Sequence, residues 1–489
     1  MFWARRKNLR YLQKKLTAEG FMGGGSNYLK RGISYFRRNG LARSFYKAAE
    51  RLAADRAEKD YRPCRADEET ILAQRNRVFD NPYRFSILVP VYETDPVLFR
   101  EMLDSVGEQT YGNWELILAD ASADESRRSI VRDFMEEYDL VCKDRYGTLH
   151  DKVVYLKLDE NKGIAGNTNE ALSHASGDYV GLLDHDDILE NTALFDIMSA
   201  IEQEEHSGRT SENIRKVMAV YTDEDKVSED GKVFFDPNRK PSFDPVLLCT
   251  NNYICHFFVA DADLAKGTGG FDPEYDGAQD HDFILRCTEG IKRDLILHIP
   301  KVLYHWRSSN GSTAENPDAK LYAYEAGKRA VKDHFKRAGI KVNVSDSPHL
   351  GFFELEYEDY TGSSDDLLMI LADDLRPEDE RCIDIMKNAM SVPGIGAVTG
   401  KIIGKDGRVE SAGFDTDEEG NPVARCAGLK RHYSGYMHRA SLDRLSDDFS
   451  PDCVLLRRDA VKEMSPKIVL KDGFDIYYMH RAEFTRKAK

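Results

Sequence analysis

Paired cysteines are missing from this chain. Its eight cysteines, at 64, 142, 249, 255, 287, 382, 426 and 453, form no C-x-x-C. That argues against a zinc site or a disulfide framework and fits a reducing, cytosolic compartment. No apolar run reaches the ~18 residues of a membrane span. The start, Met1-Phe-Trp-Ala-Arg-Arg-Lys7, lacks the apolar core of a signal peptide. There is no G-x-G-x-x-G, so a dinucleotide cofactor is disfavoured, and no G-x-x-x-x-G-K-[ST] of a Walker loop. Positive charge is short overall: the net charge of −16 speaks against a nucleic-acid partner.

What is present is a chain of 489 residues at 41% hydrophobic, enough for two to four soluble domains with ample core. The charge is unevenly placed. Residues 1–80 hold 19 Lys/Arg against 9 Asp/Glu, a balance of +10 that leaves −26 for the remainder. This first region reads as helices broken at Gly23-Gly-Gly-Ser26. Arg5-Arg-Lys7, Lys14-Lys15, Lys30-Arg31 and Arg37-Arg38 alternate there with Tyr28, Leu29, Tyr35, Phe36, Phe45 and other apolar positions. A basic helix of this kind over residues 1–54 can lie on an anionic membrane surface, each basic residue adding about 1 kcal/mol. It can equally pack on the main domain and expose its charges to water.

From Tyr83 the pattern becomes alternating β and α. Apolar runs at Phe85–Tyr92, Trp114–Ala119, Val153–Leu158 and Tyr179–Leu183 read as buried strands. Amphipathic stretches between them read as helices. Such alternation predicts a doubly wound, mostly parallel sheet whose polar turns gather on one edge, where ligands bind in open α/β sheets. Val217–Tyr221 leads through Thr222-Asp-Glu-Asp-Lys226 towards a loop-rich region. Asp280–Arg286 begins a helix, and Leu295–Tyr304 is a strand that delivers His305-Trp-Arg307.

Asp184, Asp186 and Asp187 crowd the end of the fourth strand. Clustered carboxylates repel one another unless a hard cation such as Mg²⁺ or Mn²⁺ lies between them; the bland alternative is an acidic helix cap. Pro90, Tyr92 and Glu93 close the first strand, where a nucleobase could stack. Asp120 closes the second, where a carboxylate can accept the N3–H of uracil or thymine. Asn161-Lys162-Gly163 offers a cation and free helix N–H groups to a phosphate. Asp280 or Asp282 could act as a general base. Arg307 could clamp a diphosphate, and His305 could ligate a metal. Each has an ordinary structural alternative: a turn, a helix-dipole partner, a core histidine or a surface ion pair.

In combination these residues resemble the family 2 glycosyltransferases of GT-A fold. The motifs are Ser86-Ile-Leu-Val-Pro-Val-Tyr92, Asn161-Lys-Gly163, Asp184-His-Asp-Asp187, Gly277-Ala-Gln-Asp-His-Asp282 and His305-Trp-Arg307, in that order. The resemblance covers residues 83–340. It is to bacterial enzymes that build surface polysaccharides of rhamnan or teichoic-acid type. It implies an inverting, metal-dependent transferase using a UDP- or dTDP-sugar on a lipid-linked or polymeric glycan at the cytoplasmic membrane face. Asp120 would read the base. Asp184 and Asp186 would form a DXD metal site for Mn²⁺ or Mg²⁺, with His305 as a third ligand or diphosphate contact. Asp280 would be the base, with Asp282 a weaker candidate. The chain departs from the family where Ala119-Asp-Ala-Ser122 keeps one acid of an expected pair, and where Gln279-Asp280 replaces Glu-Asp.

Leu367-Leu-Met-Ile-Leu-Ala-Asp-Asp374 resembles the fourth strand again, which makes residues 346–489 a degenerate, truncated second module. It is expected to pack on the first, bind glycan or support a homodimer, with Asp373 and Asp374 structural. Two other function classes remain. A nucleotidyltransferase needs a Gly-rich loop after the first strand that Pro90-Val-Tyr-Glu93 does not supply. An inactive, glycan-binding scaffold is disfavoured by the intact Asp184, Asp186 and Asp280.

Overall fold

The structure is a computed structural model that describes residues 25–57, 60–141, 146–207, 216–308, 321–465 and 467–487. The basic arm before Gly25 lies outside the described residues. Packing divides the chain into two units, Met1–Asp60 with Ser308–Leu321, and Tyr61–Arg307 with Tyr322–Lys489.

The first unit contains a helix over Gly25–Ala57, broken at Gly40, whose φ of 74° no continuous helix can hold. Phe36, Leu41 and Phe45 are exposed on it. Among the described residues no helix is long and apolar enough to cross a membrane.

The second unit is built on a nine-stranded sheet. Its strands are β1 (Phe85–Val91), β2 (Trp114–Asp120), β3 (Val153–Lys157), β4 (Tyr179–Leu182), β5 (Ile188–Leu189), β6 (Ala219–Ser228), β7 (Phe234–Asn238), β8 (Phe258–Asp261) and β9 (Ile296–Ser308). The order is β3-β2-β1-β4-β8-β6-β9-β5, with β7 on β6. β3, β2, β1 and β4 are parallel. They are joined by helices Pro96–Gly107, Ser126–Val141 and Gly163–His174. β1 and β2 are buried along their whole length, which is why they read as unbroken apolar runs. Beyond β4 the sheet turns antiparallel, through β8 and β6.

The polar run Thr222–Lys226 lies inside β6, a strand of ten residues. Its acids are tolerated in the core because each is paired. Asp223 accepts from His298 Nε2 at 2.8 Å and from the Lys240 N–H at 2.8 Å. Glu224 accepts from Asn238 Nδ2 at 3.1 Å and from the His256 N–H at 3.0 Å. Asp225 accepts from Tyr61 at 2.9 Å.

The C-terminal residues form a second sheet in the order Leu367–Leu371, Cys453–Arg457, Ile395–Ile403, Asp475–Arg486, Leu375–Pro377. Taken by rank in the sequence, this repeats the order β4-β8-β6-β9-β5 of the first sheet. Nothing in it corresponds to β1, β2 and β3. A single apolar core runs from Leu88 of β1 through Leu248, Phe283 and Leu355 to Tyr477 and Phe484. The C-terminal sheet is therefore packed onto the first one.

Candidate active site

Three segments converge where β1 and β4 end. The first is the turn Asp184-His-Asp-Asp187 between β4 and β5. Leu183 N donates to Leu88 O at 3.0 Å, and Asp187 N closes the turn on Asp184 O at 3.2 Å. The second is β9, which pairs with β5 and carries Tyr304 to Arg307 past the turn. The third is the stretch ahead of β8. Because β8 runs antiparallel to β4, the residues before Phe258 meet the residues after Leu182.

Asp184, Asp187 and His256 each offer a ligand atom, all within 4.8 Å of one another. Burial raises the carboxyl of Asp187 well above its usual pKa, and the charges of Asp184 and Asp186 add to it. Burial also raises Asp184; His256 opposes this, while Asp186 and Asp280 add to it. Asp187 is oriented by the Tyr304 hydroxyl at 2.5 Å and the Arg307 N–H at 2.7 Å. His256 stacks on Tyr304 with ring centroids 4.6 Å apart. Two crowded carboxyls and an imidazole fit a divalent cation such as Mn²⁺ or Mg²⁺, whose charge would offset their repulsion.

Of the expected metal set this group contains Asp184, together with Asp187 and His256. The Asp186 carboxylate lies outside it. His305 is buried with both ring nitrogens engaged: Nδ1 with Asp225 at 2.6 Å, Nε2 with Glu190 at 3.2 Å. Burial works against the imidazolium, but the hydrogen bonds and charges of Asp225 and Glu190 outweigh it and raise the His305 pKa. The residue fastens β9 to β6 and to the end of β5.

Arg307 is also not the open clamp that the sequence suggests. It is 1% exposed. Its Nε donates to Asp186 O at 2.6 Å, one terminal nitrogen to Glu229 O at 2.8 Å, and the other to Glu101 at 2.6 Å. It braces the acidic turn from beneath.

On the parallel half, the expected nucleotide contacts are partly occupied by the protein itself. Asp120 is fully buried. It accepts from the Ser122 N–H at 2.8 Å and the Tyr155 hydroxyl, with Lys157 Nζ at 3.6 Å. Pro90 pairs with Ala119 in register. Tyr92 is half exposed beside them. Glu93 accepts from the Ala123 N–H at 2.8 Å and donates its own N–H to Ser122 Oγ at 2.9 Å, which locks the first two strand ends together. The helix N-terminus at Asn161-Lys162-Gly163 is already capped. Gly163 N donates to Asn161 Oδ1 at 3.0 Å, and Ala165 N to Asp276 Oδ1 at 3.1 Å. Lys162 reaches Glu170 at 2.6 Å. Gly163 has a φ of 78°, and a Cβ there would strike the Asp276 carboxylate.

Asp280 stands in the first turn of the helix Gln279–Thr288, where it lines a pocket with Leu88, Val180, Leu182, Cys255 and Phe283. Its Oδ2 accepts from Asn252 Nδ2 at 2.7 Å. Asp282, two residues on, is buried against Arg286 at 2.5 Å and is a helix ion pair. Gln279 accepts from the Gly277 N–H at 2.8 Å and shapes the approach to this helix.

The second sheet has an acidic turn of its own, held by a side-chain cation. Leu375 follows Asp374 and pairs with Arg486, as Ile188 follows Asp187 and pairs with His305. At that matching position Arg486 binds Asp374 at 2.9 Å, Glu410 at 2.7 Å and Asp452. A guanidinium supplies the positive charge there.

Sequence reasoning missed His256, Asn252, Glu190 and Asp225. Only Asp225 carried a signal, within the acidic run of residues 222–226. His256 and Asn252 precede an antiparallel strand and have no turn or spacing pattern to mark them.

Residues 86–227 match the family model described as glycosyl transferase family 2. Among curated proteins, an uncharacterized protein of Sinorhizobium fredii, y4gI, is 38% identical over 54% of this chain and 27% of its own length. The O-antigen biosynthesis protein RfbC of Myxococcus xanthus is 30% identical over 53% and 18%. The amylovoran biosynthesis glycosyltransferase AmsB of Erwinia amylovora is 25% identical over 52% and 80%. The chain thus spans about a quarter or less of the first two. Among solved structures, TarS 1–349 of S. aureus with UDP gives a TM-score of 0.37 at 19% identity, over 52% of this chain and 65% of that one. The matched segment holds β1 to β4, the acidic turn and β6 through Val227, so this part of the chain resembles glycosyl transferase family 2.

Proposed function

We propose that the chain is an inverting, metal-dependent glycosyltransferase that moves a sugar from a UDP- or dTDP-sugar to a hydroxyl of a growing bacterial surface polysaccharide. The observation that carries this is the convergence of Asp184, Asp187 and His256 with Asp280 at the end of the parallel strands. The similarity to RfbC, an O-antigen biosynthesis protein, and AmsB, an amylovoran biosynthesis glycosyltransferase, favours a polysaccharide acceptor.

Asp184, Asp187 and His256 would hold the divalent ion, which when bound supplies Lewis-acid stabilisation of the leaving diphosphate. The ends of β1 and β2, with Tyr92 exposed beside Asp120, would receive the base. Asp280 takes the proton from the acceptor hydroxyl. The acceptor oxygen bonds to the anomeric carbon from the face opposite the diphosphate. The bond from that carbon to the diphosphate oxygen breaks, and its electron pair leaves with the nucleoside diphosphate. One displacement inverts the centre. Tyr304 and Arg307 hold the turn, and the apolar pocket wall excludes water from the base. The exposed Phe36, Leu41 and Phe45 of the first unit favour contact of the basic arm with an anionic membrane.

Calorimetric binding of UDP and dTDP, with and without Mn²⁺, tests the donor site. Metal-dependent binding of one nucleotide, lost in Asp184→Ala, is expected. Metal-independent binding would remove the ion from the mechanism. Binding of neither would favour a glycan-binding scaffold.

A further inference from the structure

We propose that Asn252 is the positioning residue of the base: it holds Asp280 by one carboxylate oxygen and leaves the other for the acceptor hydroxyl. The proposal rests on the reading of Asp280 as base.

The geometry around Asn252 fixes its orientation. Its Oδ1 accepts the Cys255 N–H at 3.1 Å, so its Nδ2 is the group turned to Asp280 Oδ2, at 2.7 Å. A flipped amide would set an N–H₂ against an N–H and an oxygen against a carboxylate, losing both bonds. The Cys255 thiol lies 3.7 Å from the same Oδ2. Asp280 Oδ1 takes no hydrogen bond from the described residues. The carboxylate is therefore held on one side and open on the other, as a general base that must meet a mobile hydroxyl requires.

Asn252 is itself held from two directions. It follows the helix Pro245–Thr250, whose cap Asp244 accepts the N–H groups of Val246 and Leu247 at 3.0 and 2.9 Å. The second oxygen of Asp244 accepts Leu445 N of the C-terminal sheet at 2.8 Å. On the other side His281, the residue after the base, bonds Leu248 O at 2.8 Å. The six-residue helix is thus clamped between the C-terminal sheet and the helix that bears Asp280. Through Asn252 the C-terminal residues have a catalytic consequence without touching substrate.

The test uses the full-length protein with Mn²⁺ and, in turn, UDP-glucose, UDP-N-acetylglucosamine, UDP-galactose and dTDP-rhamnose, reading nucleoside diphosphate release at the donor that the wild type turns over fastest. A misplaced catalytic group costs about a hundredfold. Asn252→Ala should lower kcat by about tenfold to a hundredfold, with donor KM within about twofold and UDP affinity and melting temperature unchanged. Asn252→Ser, which keeps a donor, should recover part of the rate. Asn252→Asp, the same size without the donor, should not. Wild-type kcat in Asn252→Ala would overturn the proposal. So would a loss of rate that follows a loss of UDP affinity or melting temperature. Asp280→Asn serves as the control: wild-type turnover there would remove the base itself, whatever Asn252 does. Release from no donor by the wild type would sink the transferase reading and this proposal together.

Discussion

Replacing Arg307 with methionine separates a structural brace from a substrate clamp. The guanidinium is buried and makes three hydrogen bonds, to Asp186 O, Glu229 O and Glu101. Methionine keeps the apolar stem and removes every donor. The Glu101 side chain is 38% exposed, so water replaces its lost partner and that pair is worth about 0–1 kcal/mol. The two carbonyls are different. Asp186 is half-buried and its carbonyl loses a charged donor at about 1–3 kcal/mol, while Glu229 is exposed and water covers most of its loss. The sum is about 1–4 kcal/mol, enough to lower a urea midpoint by about 0.5–1 M. The assay is urea unfolding of the nucleotide-free protein, followed by far-ultraviolet circular dichroism. If Arg307 instead reached out to a diphosphate, the midpoint would stay put and only UDP affinity would fall. That result would refute the brace.

Asp187→Ala and His256→Ala should each weaken Mn²⁺-dependent UDP binding at least about tenfold, with Asp186→Ala the milder lesion; calorimetry that finds Asp186 the most severe would restore the sequence-based ligand set. His305 has a raised pKa, so it binds a proton more tightly folded than unfolded. Its contribution is complete below the unfolded histidine value, about 6.5, and is lost as pH rises through the folded one. Urea midpoints should fall on that alkaline side, and His305→Gln should flatten this dependence; equal slopes in both proteins would remove it. Asp244→Ala should cost about 2–4 kcal/mol by orphaning a helix cap and the buried Leu445 N–H; an unchanged midpoint would show the two sheets are not joined there.

Much of this was open to sequence reading, and the reasons are local. β1, β2 and β4 are covered on both faces, so their apolar runs stand out. The acidic turn follows β4 directly, and a carboxylate cluster after a buried strand is visible wherever it occurs. Asp280, in the first turn of its helix, lies in a motif of contiguous residues. The strand at Leu367–Leu371 and the acidic turn after it are equally local, because a strand and its turn are neighbours in the chain.

Three-dimensional packing decided the remainder. Which histidine joins the carboxylates depends on β8 running antiparallel to β4, so that the start of one strand meets the end of another some 70 residues away in the sequence. His256 gains its place by that crossing. His305 is removed from it because Asp225 on β6 and Glu190 after β5 take both its nitrogens. Arg307 is turned inward for the same kind of reason, donating to the carbonyls of Asp186 and Glu229 and to the Glu101 carboxylate. The chain spells out its strands and its acids one neighbour at a time. Which polar groups satisfy one another, and which remain open to a substrate, is settled only when distant segments compete for the same hydrogen bonds.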